Sequence, residues 1–532
     1  MTQMTQSSQP TRYDAIVVGG GVNGLTCAAL LGKAGVRTVL IEQRDEIGGC
    51  AAESEIAPGF RVPTLAHATG PVRRDVVEHL QLYLHGLTFL DTAIEVSSLS
   101  PDGRALILWN DAQRTAAGLA GWSAKDAAAW PAFHQSLGRL GALLGSLFQS
   151  APPSIDAPHA RDVFSLMHTL SAFRGLPKAD RWRLLRWGPM AVADLVGESV
   201  ENELLRATLA ADGIFGAMLG PWSAGSGLQL LLAAANRSLA WPGGQVVAGG
   251  PAAFARSLRR AAERHGVEIR TGTAVERIEV KDDRAVGVTL ANNEHIEGRA
   301  VVSGVDPKRT FLSLCEADHL PPEFSWRIKN YRSRGTLAKV NFALSGLPAF
   351  TGATREMLAG RVRLAPDLDY LERAFDHAKY GRHSSQPWIE FTIPSIHDPA
   401  LAPAGAHVVS AYAQFAPYQL RDGHWDAERE VFGDVVTAAL ELHAPGFSSM
   451  VVARQVLTPL DLERGWGLTG GQICHGELAL DQFFAMRPLL GCGDHCTPIR
   501  GLFLCSSGSH PGTGLTGGSG ANAAAVVARE LA

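Results

Sequence analysis

The feature that most limits what this chain can become is the stretch 13–50. It opens with a short apolar strand, Tyr13-Asp14-Ala15-Ile16-Val17-Val18, which runs directly into Gly19-Gly20-Gly21-Val22-Asn23-Gly24. Gly19, Gly21 and Gly24 occupy the glycine positions of G-x-G-x-x-G. A helical pattern follows, with Leu25, Ala28, Ala29, Leu30 and Leu31 crowding one side before Lys33-Ala34-Gly35 ends it. A second strand, Arg37-Thr38-Val39-Leu40-Ile41, closes on Glu42. Gly19 permits the tight turn, Gly21 lets the backbone come close to a pyrophosphate, and Gly24 lets the helix pack on the strand. Free amides and the helix dipole then face the phosphates. Glu42, about 20 residues on, sits where an acid accepts hydrogen bonds from ribose hydroxyls. Strand, glycines, helix, strand and acid in register predict a dinucleotide site rather than a glycine-rich turn with no ligand.

Just past Glu42 the chain reads Gln43-Arg44-Asp45-Glu46-Ile47-Gly48-Gly49-Cys50. A second glycine pair there lets another loop approach the dinucleotide, which favours a flavin over a nicotinamide nucleotide; the alternative is a plain surface turn.

A length of 532 residues favours two or three lobes over one domain. With 46% hydrophobic and 19% charged residues and a formal net charge of −4, the chain has ample core and an ordinary globular balance. The mildly acidic charge and the lack of a basic cluster interleaved with aromatics argue against nucleic acid as a partner. Seven Cys are too few for a disulfide framework in so long a chain, which points to a reducing, cytoplasmic setting. Residues 1–12 do not read as a secretory leader, and no apolar run is long enough to span a bilayer. Association with a membrane surface stays open, as does the oligomeric state.

From about 72 to 240 the texture is helical, as in 127–147, 181–196 and 227–239, with Pro152-Pro153 and Gly220-Pro221 as punctuation. Trp182, Trp187, Trp222 and Trp241, beside Phe215 and Met218, would suit the mouth of an apolar pocket, although apolar residues at helical spacing are more often core. At Gly249-Gly250-Pro251 a tight turn opens a helix over 252–265. Strands over 267–270, 274–280, 285–290 and 300–303 then return the chain to an α/β layer. Residues 337–344, 388–393 and 407–415 read as strands of a second, antiparallel lobe with a helix over 426–442. The predicted class is α/β, with a discontinuous Rossmann-like, glutathione-reductase-like nucleotide domain over 1–71, 241–315 and 485–532. A mostly helical lobe over 72–240 and a lobe of antiparallel sheet and helix over 316–484 complete it.

Near the C-terminus, 501–505 reads as a strand, 506–518 as a loop and 521–531 as a helix. Gly512, Gly514 and Gly517 again spell G-x-G-x-x-G, but the chain stops before a second strand and acid. A second complete Rossmann unit is therefore not expected. The loop can still give backbone amides to a bound flavin.

With these pieces assembled, the chain resembles flavin-dependent oxidoreductases of the phytoene desaturase family. Within it, the likeness is to the branch of pyridine nucleotide-disulfide oxidoreductase domain-containing protein 2 and the desaturase-type beta-carotene ketolases. The resemblance rests on Gly19–Gly24 with Glu42, Arg44 with Gly48-Gly49, Gly249-Gly250-Pro251, Leu468-Thr469-Gly470-Gly471, His475-Gly476-Glu477, Leu480-Asp481-Gln482 and Arg487-Pro488. Thr497-Pro498-Ile499, His510-Pro511-Gly512 and Asn522-Ala523-Ala524 complete it, so it runs nearly the full length. It implies one FAD facing a substrate lobe. Gly19, Gly21 and Gly24 would approach the pyrophosphate, Glu42 the adenosine ribose, Arg44, Gly48 and Gly49 the early loop, and Val275 the adenine. Gly508, Gly514, Gly517 and Gly518 would close on the ribityl–flavin end. Ser506 in place of an expected Gly, Thr513 inside the glycine run and Gly518 in place of Ala depart from the pattern and put the contacts at the ring in question. Disulfide-reductase chemistry is not expected: Cys50 stands alone, with Glu55 where a partner would sit.

Flavin chemistry asks the protein to place a substrate carbon and exclude water. A desaturation also needs a proton acceptor, for which His510, His475 and Glu477 are candidates. Against each stands a structural role: His510 bracing the loop before Pro511, and His475 as part of the packing. Arg487 would polarise a substrate oxygen or the flavin, or form a buried ion pair with Asp481. Cys474, Cys492, Cys496, Cys505 and His495 lack paired C-x-x-C spacing, so no metal is expected. The expected activity is FAD-dependent dehydrogenation of an apolar, isoprenoid or polyene-like molecule, with oxygen or a quinone as electron acceptor. A flavin amine oxidase, a carotenoid ketolase-type oxidase and a flavin-bound scaffold without turnover are the alternatives.

Overall fold

In the computed structural model of the chain, residues 12–153, 160–242 and 246–532 are described, the side chains of 160–166 and 168 excepted. The opening stretch read above for a leader lies outside the described residues except for Arg12. Strand β1 (Arg12–Val18) leads into helix α1 (Val22–Lys33) and strand β2 (Thr38–Ile41). β1 runs parallel to β2, with Ala15 opposite Thr38, and parallel on its other side to His295–Ser303, with Ala15 opposite Ala300. Glu268–Arg270 extends the sheet beyond β2, and Leu502–Leu504 pairs with His295–Ser303. An antiparallel hairpin, Val275–Lys281 and Arg284–Leu290, finishes the far edge. Strands from three separate parts of the sequence thus meet in one largely parallel sheet, as expected of the discontinuous Rossmann-like domain.

A parallel sheet must be covered on both faces, so its strands are apolar throughout rather than alternating. On one face Ala15, Val17, Leu40, Ala300 and Val302 pack against α1, the helix Gly250–Arg264 and the final helix Gly518–Leu531. On the other, Ile16, Val18, Val39, Ile41 and Val301 meet Phe311, Leu314 and Ile328. Burying a side chain such as Val17 or Ile16 stabilises the fold by about 1.5–3 kcal/mol.

The second sheet has the order Val451–Leu457, Leu337–Leu344, His407–Gln414, Trp388–Thr392, Val362–Leu364, Ile94–Leu99, Ala105–Trp109. It is antiparallel except where Val362–Leu364 runs parallel to Ile94–Leu99, so the lobe is mixed rather than purely antiparallel. Period-2 alternation divides its residues. Val340, Phe342, Ile389, Phe391, Val409 and Ala411 pack with Phe432, Val436 and Leu440 of the helix Trp425–His443. Lys339, Glu390 and Tyr412 occupy the alternate positions and point to the opposite face.

Three boundaries differ from the sequence reading. Ile94–Leu99 and Ala105–Trp109 fall inside the stretch read as mostly helical, yet they extend the second sheet. The hairpin of Glu53–Ala57 and Phe60–Pro63, assigned above to the nucleotide domain, packs Phe60 and Val62 on Ala343, Leu401 and Val408 of the substrate side. The helix expected over 181–196 is two helices, Lys178–Trp187 and Val192–Gly197. Pro189, which cannot donate the amide that would continue the helical ladder, lies between them.

Candidate functional site

A cavity of about 490 Å³ starts at the dinucleotide motif and continues into the space between the two sheets and the helical lobe. At its dinucleotide end, Gly19 takes the left-handed region at φ +99°. A Cβ on Gly24 would come within 2.0 Å of the Gly19 carbonyl oxygen, so that turn and the first turn of α1 exclude any side chain. Gly21 lines the cavity, and a Cβ there would meet nothing within 4 Å, leaving its backbone open for close approach by a ligand. The Glu42 carboxylate accepts from the Gly20 amide at 2.6 Å and the Arg44 amide at 3.0 Å, which fixes it in the cavity wall. Gly48 donates to the Gly20 carbonyl at 2.8 Å, and Gly49 lies against Gly21. The second glycine pair is therefore packed on the first, not a free surface turn.

Arg44 and Val275 also line this end. The Arg44 guanidinium sits 4.8 Å from the centre of the Trp466 ring, and Trp466 is itself part of the wall. Arg44 Nη1 and Trp466 Nε1 are both buried without an acceptor among the described residues. A buried donor left unpaired costs about 1–3 kcal/mol, which phosphate or ribose oxygens would recover. Two orphaned donors beside an open glycine and a fixed acid fit the polar half of a dinucleotide.

The terminal loop divides. Gly514 lines the cavity with Ser507, Thr513 and Leu515. Gly508, Gly517 and Gly518, expected at the ribityl–flavin end, lie outside the wall and serve close packing instead. A Cβ on them would come within 2.3 Å of Pro307, 2.9 Å of Thr26 Oγ1 and 3.0 Å of Arg73 Nη1, respectively.

Three of the four candidate catalytic side chains, His510, Arg487 and Glu477, are elsewhere. His510 is buried among Phe148, Phe483 and Phe484, with Nε2 2.8 Å from the Leu147 carbonyl oxygen, and is absent from the cavity wall. Burial pushes its pKa down to about 3, so it is a neutral brace for the loop and not a proton acceptor. Arg487 is fully buried and directs its donors to the carbonyls of Cys474, Gly476, Glu477, Gln482 and Ser507. It solvates a loop crossing and forms no pair with Asp481, which bonds Arg332 instead. Glu477 is likewise held by Arg332 and Arg334. His475 does reach the cavity: it has φ +58°, a buried Nδ1 without a partner among the described residues, and a pKa lowered by burial. Of the aromatic residues proposed for an apolar mouth, Phe215 lines the cavity. Trp187 is core, and Trp182 and Trp222 are exposed on the surface.

The wall also carries a row of residues that the sequence reading missed. In the second sheet Lys339 lies directly opposite Tyr412, Tyr412 opposite Glu390, and Glu390 opposite Arg363. All four line the cavity; Lys339, Arg363 and Glu390 are buried and Tyr412 is half-buried. Lys339 Nζ is 3.2 Å from His67 Nδ1 and 4.2 Å from the Tyr412 ring centre. His67 Nε2 is 3.3 Å from Glu390 Oε1, while Arg363 Nε donates to Glu390 Oε2 at 2.8 Å. Burial depresses the Lys339 pKa well below its usual value. It also lowers His67 to about 4, and a proton on Lys339 would oppose one on His67. The Glu390 carboxyl is desolvated too, but Arg361 and Arg363 outweigh that and hold it ionised. An ionised Glu390 only accepts, so His67 Nε2 carries the proton and Nδ1 accepts an N–H from Lys339. The outcome is an amine whose charged form is disfavoured by burial, oriented by His67 and backed by a fixed anion. The legible trace was polar residues interrupting apolar strands, Lys339 and Asn341 in 337–344 and Glu390 in 388–392.

Cys50 does not stand alone: Cys474 also lines the cavity, and a thiolate there would oppose ionisation of Cys50. Burial pushes the Cys50 thiol up to about 12 and raises Cys474 as well. Thiol exchange needs a thiolate, and both sulfurs are held protonated. Among the described residues no group of three or more metal-ligating side chains gathers.

Comparison with known proteins decides the family. The chain is 36% identical to pyridine nucleotide-disulfide oxidoreductase domain-containing protein 2 of Rattus norvegicus, over 98% of this chain and 94% of that one. The chain belongs to this family. It is also 24% identical to one of the limonene dehydrogenase chains of Castellaniella defragrans, covering 98% and 96%. With the neurosporene-forming phytoene desaturase of Cereibacter sphaeroides it shares 25% identity, covering 94% and 92%. Residues 17–80 match the NAD(P)-binding Rossmann-like domain, and residues 190–418 match the flavin containing amine oxidoreductase family. A solved putrescine oxidase variant shares the fold, with a TM-score of 0.60 over 98% of each chain at 16% identity. The chain is thus an FAD-dependent oxidoreductase of the amine oxidase and phytoene desaturase superfamily. Among the described residues no helix is long and apolar enough to cross a membrane.

Proposed function

We propose that this chain binds FAD in the cavity and dehydrogenates an apolar, isoprenoid-like substrate, with Lys339 as the proton acceptor. The carrying observation is that Lys339, buried and hydrogen-bonded to the His67–Glu390 pair, lines the same cavity as the dinucleotide motif. Gly21, Glu42, Arg44 and Trp466 would hold the adenosine and pyrophosphate half, and Gly514 and His475 would line the wall further along. When bound, the flavin supplies the two-electron acceptor. Phe215, Leu232, Leu65 and Ile393 bring apolar surface to the cavity and keep water from the reacting carbons. Forming a carbon–carbon double bond removes the equivalent of a hydride from one carbon and a proton from its neighbour. The proton bonds to the Lys339 lone pair, and Glu390 stabilises the resulting ammonium through His67.

The names limonene dehydrogenase and phytoene desaturase, carried by two of the relatives, support a terpenoid substrate. Among the described residues there is no second complete dinucleotide unit, which favours oxygen or a quinone as the final electron acceptor. An amine substrate is the second reading, favoured by the match over residues 190–418. Anaerobic mixing of the flavin-loaded protein with monoterpenes, longer polyenes and a panel of amines separates the two. Bleaching of the flavin by isoprenoids supports the first reading; bleaching by amines alone overturns it. A colourless protein that takes up no FAD sinks both.

A further inference from the structure

The helix Ser226–Ser238 contributes one face to the cavity wall. Gln229, Leu232, Ala233 and Asn236 all line it, at the i, i+3, i+4 and i+7 spacing of neighbours on one side of a helix, and Arg237 follows. The polar members differ in what holds them. Asn236 Oδ1 accepts from Thr513 Oγ1 at 2.8 Å, and Arg237 donates to Glu95. Gln229 is only 7% exposed, and its side-chain amide makes no hydrogen bond among the described residues. Neither atom of that amide is sealed off by its neighbours, so the surface it keeps is turned to the cavity. Beside it on the helix stand Leu232 and Ala233, while Phe215, Ile473 and Leu478 bring further apolar surface to the same wall. A buried amide in such surroundings is costly unless it is hydrogen-bonded.

The charges decide which partner fits. Arg363 donates to Glu390 and Asp212, Arg237 to Glu95, and Arg361 lies 3.6 Å from Glu390. Arg237, Arg361 and Arg363 thus each already face an acid, and burial disfavours a charge on Lys339. A carboxylate entering here would lack an uncommitted cation. A hydrocarbon would cover the Gln229 amide and offer it nothing to bond. A neutral oxygen meets both conditions.

We infer that Gln229 sets specificity by hydrogen-bonding a hydroxyl or carbonyl oxygen on an otherwise apolar substrate. The isoprenoid-like skeleton of that substrate rests on the dehydrogenation proposed above; the oxygen is what Gln229 adds. A primary amide suits either group, because its NH2 donates to a carbonyl and its own oxygen accepts from a hydroxyl. Gln229 acts on binding and takes no part in moving the hydride or the proton.

The test compares farnesol, farnesene and ionised farnesoic acid, which share one carbon skeleton. Dissociation constants are read from tryptophan fluorescence of the flavin-loaded protein, its flavin held reduced so that no turnover intervenes. The parent should bind farnesol more tightly than farnesene, against the greater hydrophobicity of the hydrocarbon, and more tightly than the acid. Gln229→Met keeps the length of the side chain and removes the amide. It should weaken farnesol about tenfold and leave farnesene unchanged or tighter. Flavin content and melting temperature should match or exceed the parent's, because no protein group loses a partner. A parent that holds farnesol no more tightly than farnesene overturns the assignment. So does a Gln229→Met protein that keeps the parent's preference, or one whose melting temperature falls markedly, which would make the amide structural. Tighter binding of the acid than of the alcohol overturns the choice of a neutral oxygen. Anaerobic bleaching of the oxidised flavin is scored separately: bleaching by amines alone removes isoprenoid dehydrogenation and leaves the role of Gln229 to the binding constants.

Discussion

At the dinucleotide end, Gly19, Gly21, Gly24, Glu42, Arg44 and Gly49 come from the single stretch 13–50. At the other end, His67, Lys339, Glu390 and Tyr412 come from four segments far apart in the chain. The first end is made of backbone: amides, carbonyls and the absence of Cβ atoms. Its precision is local, set by a turn and one helix terminus. The second end is made of side chains whose ionisation is decided by burial and by each other. Burial disfavours the charged form of Lys339, and His67 takes one tautomer because Arg363 and Arg361 keep Glu390 charged. Local geometry suits a cofactor that must be held tightly; a desolvated base suits chemistry that needs a reactive lone pair at neutral pH.

The largest effect should come from the backbone end. Gly24→Ala places a Cβ against the Gly19 carbonyl, a fixed backbone atom, so the purified variant is expected to carry essentially no flavin absorbance. A fully flavin-loaded Gly24→Ala protein would break the claim that this end works through backbone approach. Lys339→Met should do the reverse, keeping the flavin while lowering the rate of anaerobic flavin reduction by about 10²–10⁴. Unchanged reduction would remove Lys339 from the proton path. His67→Ala should fall between, about tenfold slower with little change in KM, because the base survives but loses its orienting partner.

The smallest effect concerns stability against pH, where His67 in the cavity and His510 outside it contribute. His67 and His510 are held neutral in the fold, with pKa values lowered to about 4 and about 3, whereas an unfolded histidine protonates near 6.5. Above that value neither group makes stability depend on pH. As pH falls below it, the unfolded chain gains protons that the fold refuses, and each group costs about 1.4 kcal/mol per pH unit until its folded pKa is reached. The melting temperature should therefore drop between pH 6.5 and 4. His510→Gln should flatten that drop while leaving the rate of flavin reduction nearly intact, as befits a brace outside the cavity. A rate loss as large as that of Lys339→Met would return His510 to the chemistry.

The strand, turn, helix and acid of 13–50 could be read from sequence because each contact spans a few residues and carries its own signature. The strands 337–344, 388–392 and 407–414 were also legible from their composition, nearly to the residue. Their polar positions had no legible meaning, since strand order and register are tertiary facts. A shift of one residue would turn Lys339 to the helix-covered face. The terminal motifs misled for a related reason. His510, Arg487 and Gly517-Gly518 look like site residues by position, but packing put Leu147, the carbonyls of the 474–507 region and Arg73 in front of them.

Residues 13–50 alone predict a dinucleotide site, because hydrogen-bonding and steric demands at a glycine turn are met within one stretch. Where the base lies and how far its charged form is disfavoured depend on what the folded chain removes from water. Desolvation is a property of the assembled core and of no segment by itself.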